Sequence, residues 1–203
     1  MNKFKLVSLV ALSLWVCSAS AMDILIEPLV AGQFSGGLKE SNSDSGSFTS
    51  VAYGGRLGFD FHGLLLGGEY LANNEMSVKI DGPNTWGSSS TTGKISNTNY
   101  GGFLGVELMH PLAIRLIGTF FAASSGHFTH ETNGTMDADK TLKGYGYKGE
   151  VSTRIAHYLS LGVSYYYLVF TKATDNTNNT TSTLSPVANQ HAVMAQISIP
   201  LEI

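Results

Sequence analysis

The sequence is short of cysteine, of proline and of charge. Its single cysteine is Cys17, so the chain beyond residue 21 has no thiol and can hold no disulfide. Charged residues make up 13% of 203, too sparse for the evenly solvated surface of an ordinary soluble domain. Setting aside Lys3 and Lys5, ten basic residues face 15 acidic ones, which argues against nucleic acid as a partner. Beyond residue 21 no window holds eighteen continuous apolar residues, so no transmembrane helix is expected there. What is abundant is glycine, 23 copies against five prolines, together with Ser, Thr, Asn and Tyr. That balance suits one domain built from sheet, part of whose surface faces something other than water.

The first 21 residues have three parts. Lys3 and Lys5 give a positive start, Leu6 to Val16 an apolar core, and Ala19-Ser20-Ala21 a small-x-small cleavage pattern. This reads as a secretory signal peptide over 1–21, leaving 22–203 as the mature domain. Cys17 as an acylated residue is disfavoured, because Val16 before it is too bulky for that cleavage pattern.

The remainder divides into alternating segments at about 23–34, 49–61, 63–74, 99–109, 112–123, 144–156, 159–171 and 190–203. Each approaches the nine to eleven residues that a tilted strand needs to cross a bilayer. Long polar connections over 35–48, 75–98, 124–143 and 172–189 alternate with short ones at His62-Gly63, His110-Pro111 and His157-Tyr158. Four long and three short connections, with both termini on the short side, describe an even-numbered, up-and-down antiparallel barrel. Short turns belong to its periplasmic end and long loops to its outer end.

Parity separates the two faces of each segment. Glu27, Arg56, Asp60, Glu69, Glu107, Arg115, Lys148, Glu150, Arg154 and Glu202 fall on one face, with many Gly, Ala and Ser. Ile24, Ile26, Val30, Leu57, Phe59, Leu64, Leu66, Leu104, Val106, Leu116, Phe120, Leu161, Val163 and Ile197 fall on the other. Alternation alone would also fit a soluble barrel with its apolar face inward. Three features favour the inverse. Small residues share the charged face, as a narrow eight-stranded interior requires. That face is too rich in glycine to be a good solvated surface. Tyr53, Tyr70, Tyr100, Tyr145, Tyr147, Tyr158 and Tyr167 gather toward segment ends, where aromatic girdles meet headgroups. With no spanning helix, only a closed sheet satisfies the backbone in lipid.

The leader, the eight segments, the polar connections and stretches such as Val51-Ala52-Tyr53-Gly54-Gly55-Arg56-Leu57-Gly58-Phe59 and Gly101-Gly102-Phe103-Leu104-Gly105-Val106-Glu107 resemble the small outer-membrane barrels. That group includes the OmpA transmembrane domain, OmpX and OmpW. The resemblance spans the whole mature chain and rests on architecture, with no short signature. It implies an eight-stranded transmembrane β-barrel in the outer membrane of a Gram-negative cell, surrounded by lipid and lipopolysaccharide. It also implies delivery by periplasmic chaperones and the barrel-assembly machinery. One departure stands out: the chain ends Ile199-Pro200-Leu201-Glu202-Ile203, without the terminal aromatic such barrels usually carry. Pro28 and Pro200 each remove a ladder donor from strands that should pair with each other.

The ten ionisable residues of the inner face read as a barrel-interior polar network. It would be either a closed salt-bridge plug or the lining of a narrow passage, and the small lumen favours the plug. His62, His110 and His157 mark the three short turns, and His127 and His130 lie near Glu131, Asp137 and Asp139. Both groups read more simply as polar turn and loop residues than as metal ligands. Ser124, Ser125, His127 and Glu131 could suggest a hydrolase at the rim, but they match no nucleophile elbow. Asn133-Gly134-Thr135 and Asn178-Asn179-Thr180 read as loop composition, and Trp86 as a loop-packing or contact residue. No catalytic, cofactor or metal site is expected. The expected function is non-enzymatic: an envelope barrel whose four long loops meet the surroundings and any extracellular ligand. A narrow conduit for small or hydrophobic solutes is the alternative, with a lipid hydrolase behind it.

Overall fold

The computed structural model describes residues 22–40, 43–44, 49–80, 91–108, 113–132, 135–156 and 158–203. The proposed leader over 1–21, Trp86, His110, His157 and Asn133 lie outside them. Eight strands run antiparallel: β1 (Met22–Glu40), β2 (Ser50–Phe61), β3 (Leu64–Ile80), β4 (Thr91–Leu108), β5 (Ile114–Thr132), β6 (Thr135–Ala156), β7 (Leu159–Asp175) and β8 (Thr180–Ser198). Each pairs with its sequence neighbour, and β1 also pairs with β8, from Leu29 opposite Ser198 to Glu40 opposite Ala188. The sheet is therefore closed, which removes every free edge. The expected all-β, eight-stranded up-and-down barrel is the fold of the chain.

The seam between β1 and β8 accommodates both prolines. β8 stops at Ser198, and Leu201–Glu202 resumes the pairing opposite Ile26 and Leu25. Around the gap, the Ile199 N–H donates to the Pro28 carbonyl at 3.0 Å, and Ile24 and Ile203 exchange backbone bonds of 2.9 and 3.1 Å. The pairing therefore continues on both sides of the two prolines. At the β2–β3 turn His62 and Gly63 both take positive φ, 53° and 86°. That is the two-residue mirror turn that matches strand twist, and it suits glycine. The Gly63 N–H donates to Asp60 Oδ1 at 2.7 Å.

Alternation sets what each wall faces. Leu57 is 62% and Leu104 61% exposed on the outside, with Val30, Val106, Leu116, Phe120, Val151, Val163 and Ile197 also exposed. Such a continuous apolar belt is stable in lipid and would aggregate in water. Above it, away from the short turns, Tyr53, Tyr100, Tyr145, Tyr147 and Tyr165 point outward. Tyr70 and Tyr100 lie 5.1 Å apart, and Tyr145 meets Tyr147 edge-on at 6.2 Å. This is an aromatic girdle at the headgroup level.

The long polar connections differ from expectation. Much of 75–98, 124–143 and 172–189 is strand and not loop: β3 and β4 stay paired as far as Ile80 opposite Thr91. β5 and β6 stay paired to Thr132 opposite Thr135, and β7 and β8 to Asp175 opposite Thr180. Residues 35–40 likewise continue β1 alongside β8. The reason lies in a ring of register shifts at Gln33/Ser35, Asn73/Met76, Tyr100/Gly101, Phe121/Ser124, Lys143/Gly144 and Phe170/Lys172. A β-bulge adds a residue and breaks period two without ending the ladder. Beyond the ring the faces exchange character. Ser125, His127, Lys143, Lys172 and Thr183 point outward and exposed, while Met76, Ile95, Phe128, Leu142 and Leu184 are buried inside. The barrel is inverted within the belt and of ordinary soluble polarity above it.

Candidate functional site

The lumen is filled in layers. Within the belt, Arg56, Arg115 and Lys148 meet Glu27, Glu69 and Glu150, three charges of each sign, all with side-chain exposure of 0%. Arg56 is the hub. It reaches Glu27 at 3.2 Å, Glu69 at 3.1 Å and Glu150, so β2 is tied to β1, β3 and β6. Arg115 grips Glu27 with two donors at 2.7 and 3.0 Å, and Lys148 bridges Glu69 and Glu150. Hydroxyls complete the acceptors: Thr119 donates to Glu69 at 2.7 Å and Ser198 to Glu27 at 2.6 Å. Bidentate, multiply hydrogen-bonded pairing is what allows charge to stay where water does not reach.

Toward the short turns, Arg154 meets Glu107 at 3.0 Å and also Glu202, while the Arg115 Nε lies 3.4 Å from Glu107. Asp60 stands apart from this chain of pairs and caps the β2–β3 turn instead. The carboxylates of Asp60, Glu107 and Glu202 lie within 4.8 Å of one another. Arg154 pairs with Glu107 and Glu202 in this grouping, and Asp60 accepts from the Gly63 amide.

Two further layers escaped sequence reasoning. Above the charges, Asn73 donates to Gln33 at 3.1 Å and to the Tyr166 hydroxyl at 3.0 Å. Tyr166 in turn donates to Gln33 at 3.0 Å, Gln190 donates to Tyr166 at 3.0 Å, and Asn97 donates to Gln190 at 2.7 Å. The one signal for this amide layer was polar side chains of inward parity. Above it Phe121, Phe128, Phe170, Leu142, Ile95 and Met76 are buried together, and close the outer end of the barrel with apolar side chains.

The remaining candidates converge only in part. Ser124 is buried inside, whereas Ser125 and His127 stand two residues apart on the outer face of β5. The His127 Nδ1 lies 3.7 Å from Asp139. His130, three residues on, sits at an inward position and does not join His127 on one face. His62 is exposed in its turn. The side chains of Glu131 and Asp137 lie outside the described residues.

The fold is similar to that of Neisserial surface protein A, with 15% identity and a TM-score of 0.51 over 87% of this chain and 96% of that one. It is similar to Ail, the attachment invasion locus protein of Yersinia pestis, solved in complex with the heparin analogue sucrose octasulfate. There the identity is 12% and the TM-score 0.55, over 87% and 99% of the two chains. The outer membrane protein OprG from Pseudomonas aeruginosa matches at 10% identity and a TM-score of 0.51, over 89% and 96%. No protein-family model matches the sequence, and neither does any curated protein. At these identities the likeness is one of architecture: the chain has the fold of the small outer-membrane β-barrels.

Proposed function

We propose that this protein is a closed, non-enzymatic barrel of the outer membrane whose task is surface contact and envelope support rather than transport. The observation that carries this reading is the filled lumen. Six charged side chains with no exposure occupy the belt, and packed aromatic side chains close the outer end above them. A solute would have to break several buried ion pairs, each costly to leave half-made. What the barrel offers instead is outside the membrane. Paired strands rise above the tyrosine girdle as a hydrogen-bonded wall of Ser, Thr, Lys and His, stiffer than irregular loops would be.

The architecture shared with a surface protein and with an attachment invasion locus protein supports contact as the role. Surroundings of lipopolysaccharide, and delivery by chaperones and the barrel-assembly machinery, follow from the same reading.

The test is attachment. Cells of a non-adherent Gram-negative host displaying the protein should gain adhesion to glycan-coated or cell-coated surfaces. Replacing the higher outward row His127, Thr141, Thr174 and Thr181 with alanine should remove the gain while surface display stays equal. Adhesion that is equal with and without the protein would overturn the contact role.

A further inference from the structure

Lys143 and Lys172 stand directly opposite each other on β6 and β7, and both side chains point outward and are exposed. Opposed residues of an antiparallel pair hold their Cβ atoms about 4.5–5.5 Å apart, and like charges there repel. The arrangement depends on a bulge. Lys143 pairs with Lys172 while Gly144 pairs with Phe170, so Thr171 is the extra residue that brings Lys172 onto the outer face. The Thr171 hydroxyl bonds back to the Lys143 carbonyl at 3.5 Å.

Nothing among the described residues balances this pair. Neither ammonium has an ion-pair partner there, whereas Lys94, on β4 two strands from Lys143, has Glu75 at 3.7 Å. The nearby acids are engaged elsewhere. Asp139 faces His127 at 3.7 Å and accepts from Asn176 at 2.6 Å, and Asp175 accepts from the Thr177 and Asn178 amides at 2.9 and 3.2 Å. Ser125 and Thr183, the cross-strand neighbours of Lys143 and Lys172, add an exposed hydroxyl on each side.

Height decides the ligand. Immediately below the lysines, Tyr145 pairs with Val169 and Tyr147 with Tyr167, which is the girdle where the lipid belt ends. A cationic pair one step above outer-facing tyrosines lies at the level of lipid headgroups. We propose that Lys143 and Lys172 form a binding site for the phosphate of an anionic lipid headgroup in the outer leaflet, their ammonium groups converging on one phosphate between flanking hydroxyls. Each would donate a charge-assisted hydrogen bond to the phosphate oxygens, and the bound anion would relieve the repulsion built into the ladder. The site rests on the membrane orientation adopted above and is independent of the attachment role.

The experiment is a titration of the folded barrel, in a zwitterionic detergent, with fluorescently labelled lipid A. The heat-dependent gel shift of each variant is followed in parallel to report the closed barrel. Lys143→Gln and Lys172→Gln should each weaken binding roughly fivefold, and the double variant roughly 25-fold. Lys143→Arg with Lys172→Arg should retain binding, and Lys94→Gln should leave it unchanged. Unaltered lipid A binding by the heat-shifted Gln double variant would overturn the site. Displacement of lipid A by inorganic phosphate at matching concentration would overturn the lipid headgroup as its source, as would binding of a sulfated oligosaccharide but not lipid A through the same lysines.

Discussion

Arg56 reaches carboxylates on three other strands, and that makes it the residue whose loss the barrel should tolerate least. Arg56→Met would leave Glu27, Glu69 and Glu150 sharing only Arg115 and Lys148, so the buried layer would carry one negative charge in excess. Breaking a buried pair in this way costs about 3–5 kcal/mol. The expected outcome is a lower urea midpoint for the vesicle-embedded variant, and an unchanged midpoint would count against the network. Alternation made the inward face readable from sequence. It could not say which acid meets which base, because partners depend on the stagger between strands. Asp60 shows the gap, since it caps a turn where an ion pair might have been expected. Gln33, Asn73, Asn97, Tyr166 and Gln190 were missed because inward parity was their one signal, and neutral polar side chains stand out on that face less than charges do.

Along a single strand the environment changes twice, from lipid to headgroup to water, and β5 carries the whole sequence. Leu116 faces the belt, Phe120 lies near the tyrosines, and Ser125 and His127 face out above the bulge at Phe121/Ser124. Two arginine substitutions on this one wall should therefore differ. Leu116→Arg should destabilise the inserted barrel by about 2–4 kcal/mol, while Ser125→Arg should be near neutral. Vesicle-based unfolding of both variants measures the contrast, and equal costs would mean that the belt does not end where the girdle lies. The alternating segments expected from sequence stopped at 34, 74, 99, 123, 144 and 171, at or next to the ring of bulges. Period two fails at a bulge although the hydrogen-bonded ladder continues, so the strands were legible only as far as their first irregularity. Amide hydrogen exchange checks the extension directly. Residues 94–98 and 124–130 should be protected to a degree approaching the belt, whereas irregular loops would exchange within seconds.

At the scale of the whole molecule, the closed ring, the lipid-facing belt and the filled lumen form one design. The ring satisfies the backbone in lipid, the belt places it there, and the interior layers hold eight strands around a packed centre. Fold class was legible because these demands act on every strand at once and leave the same alternation in each. The soluble half above the girdle was not, because its polarity runs opposite to the half below. The most direct test of a closed barrel is single-channel recording of the refolded protein in planar bilayers, after the heat shift has shown that it is folded. The filled lumen predicts no steady conductance, with the wild type and an Arg115→Lys variant alike. Stable openings whose size or ion preference changes on substituting Arg115 or Glu107 would contradict it, and would make the charged layer the lining of a passage.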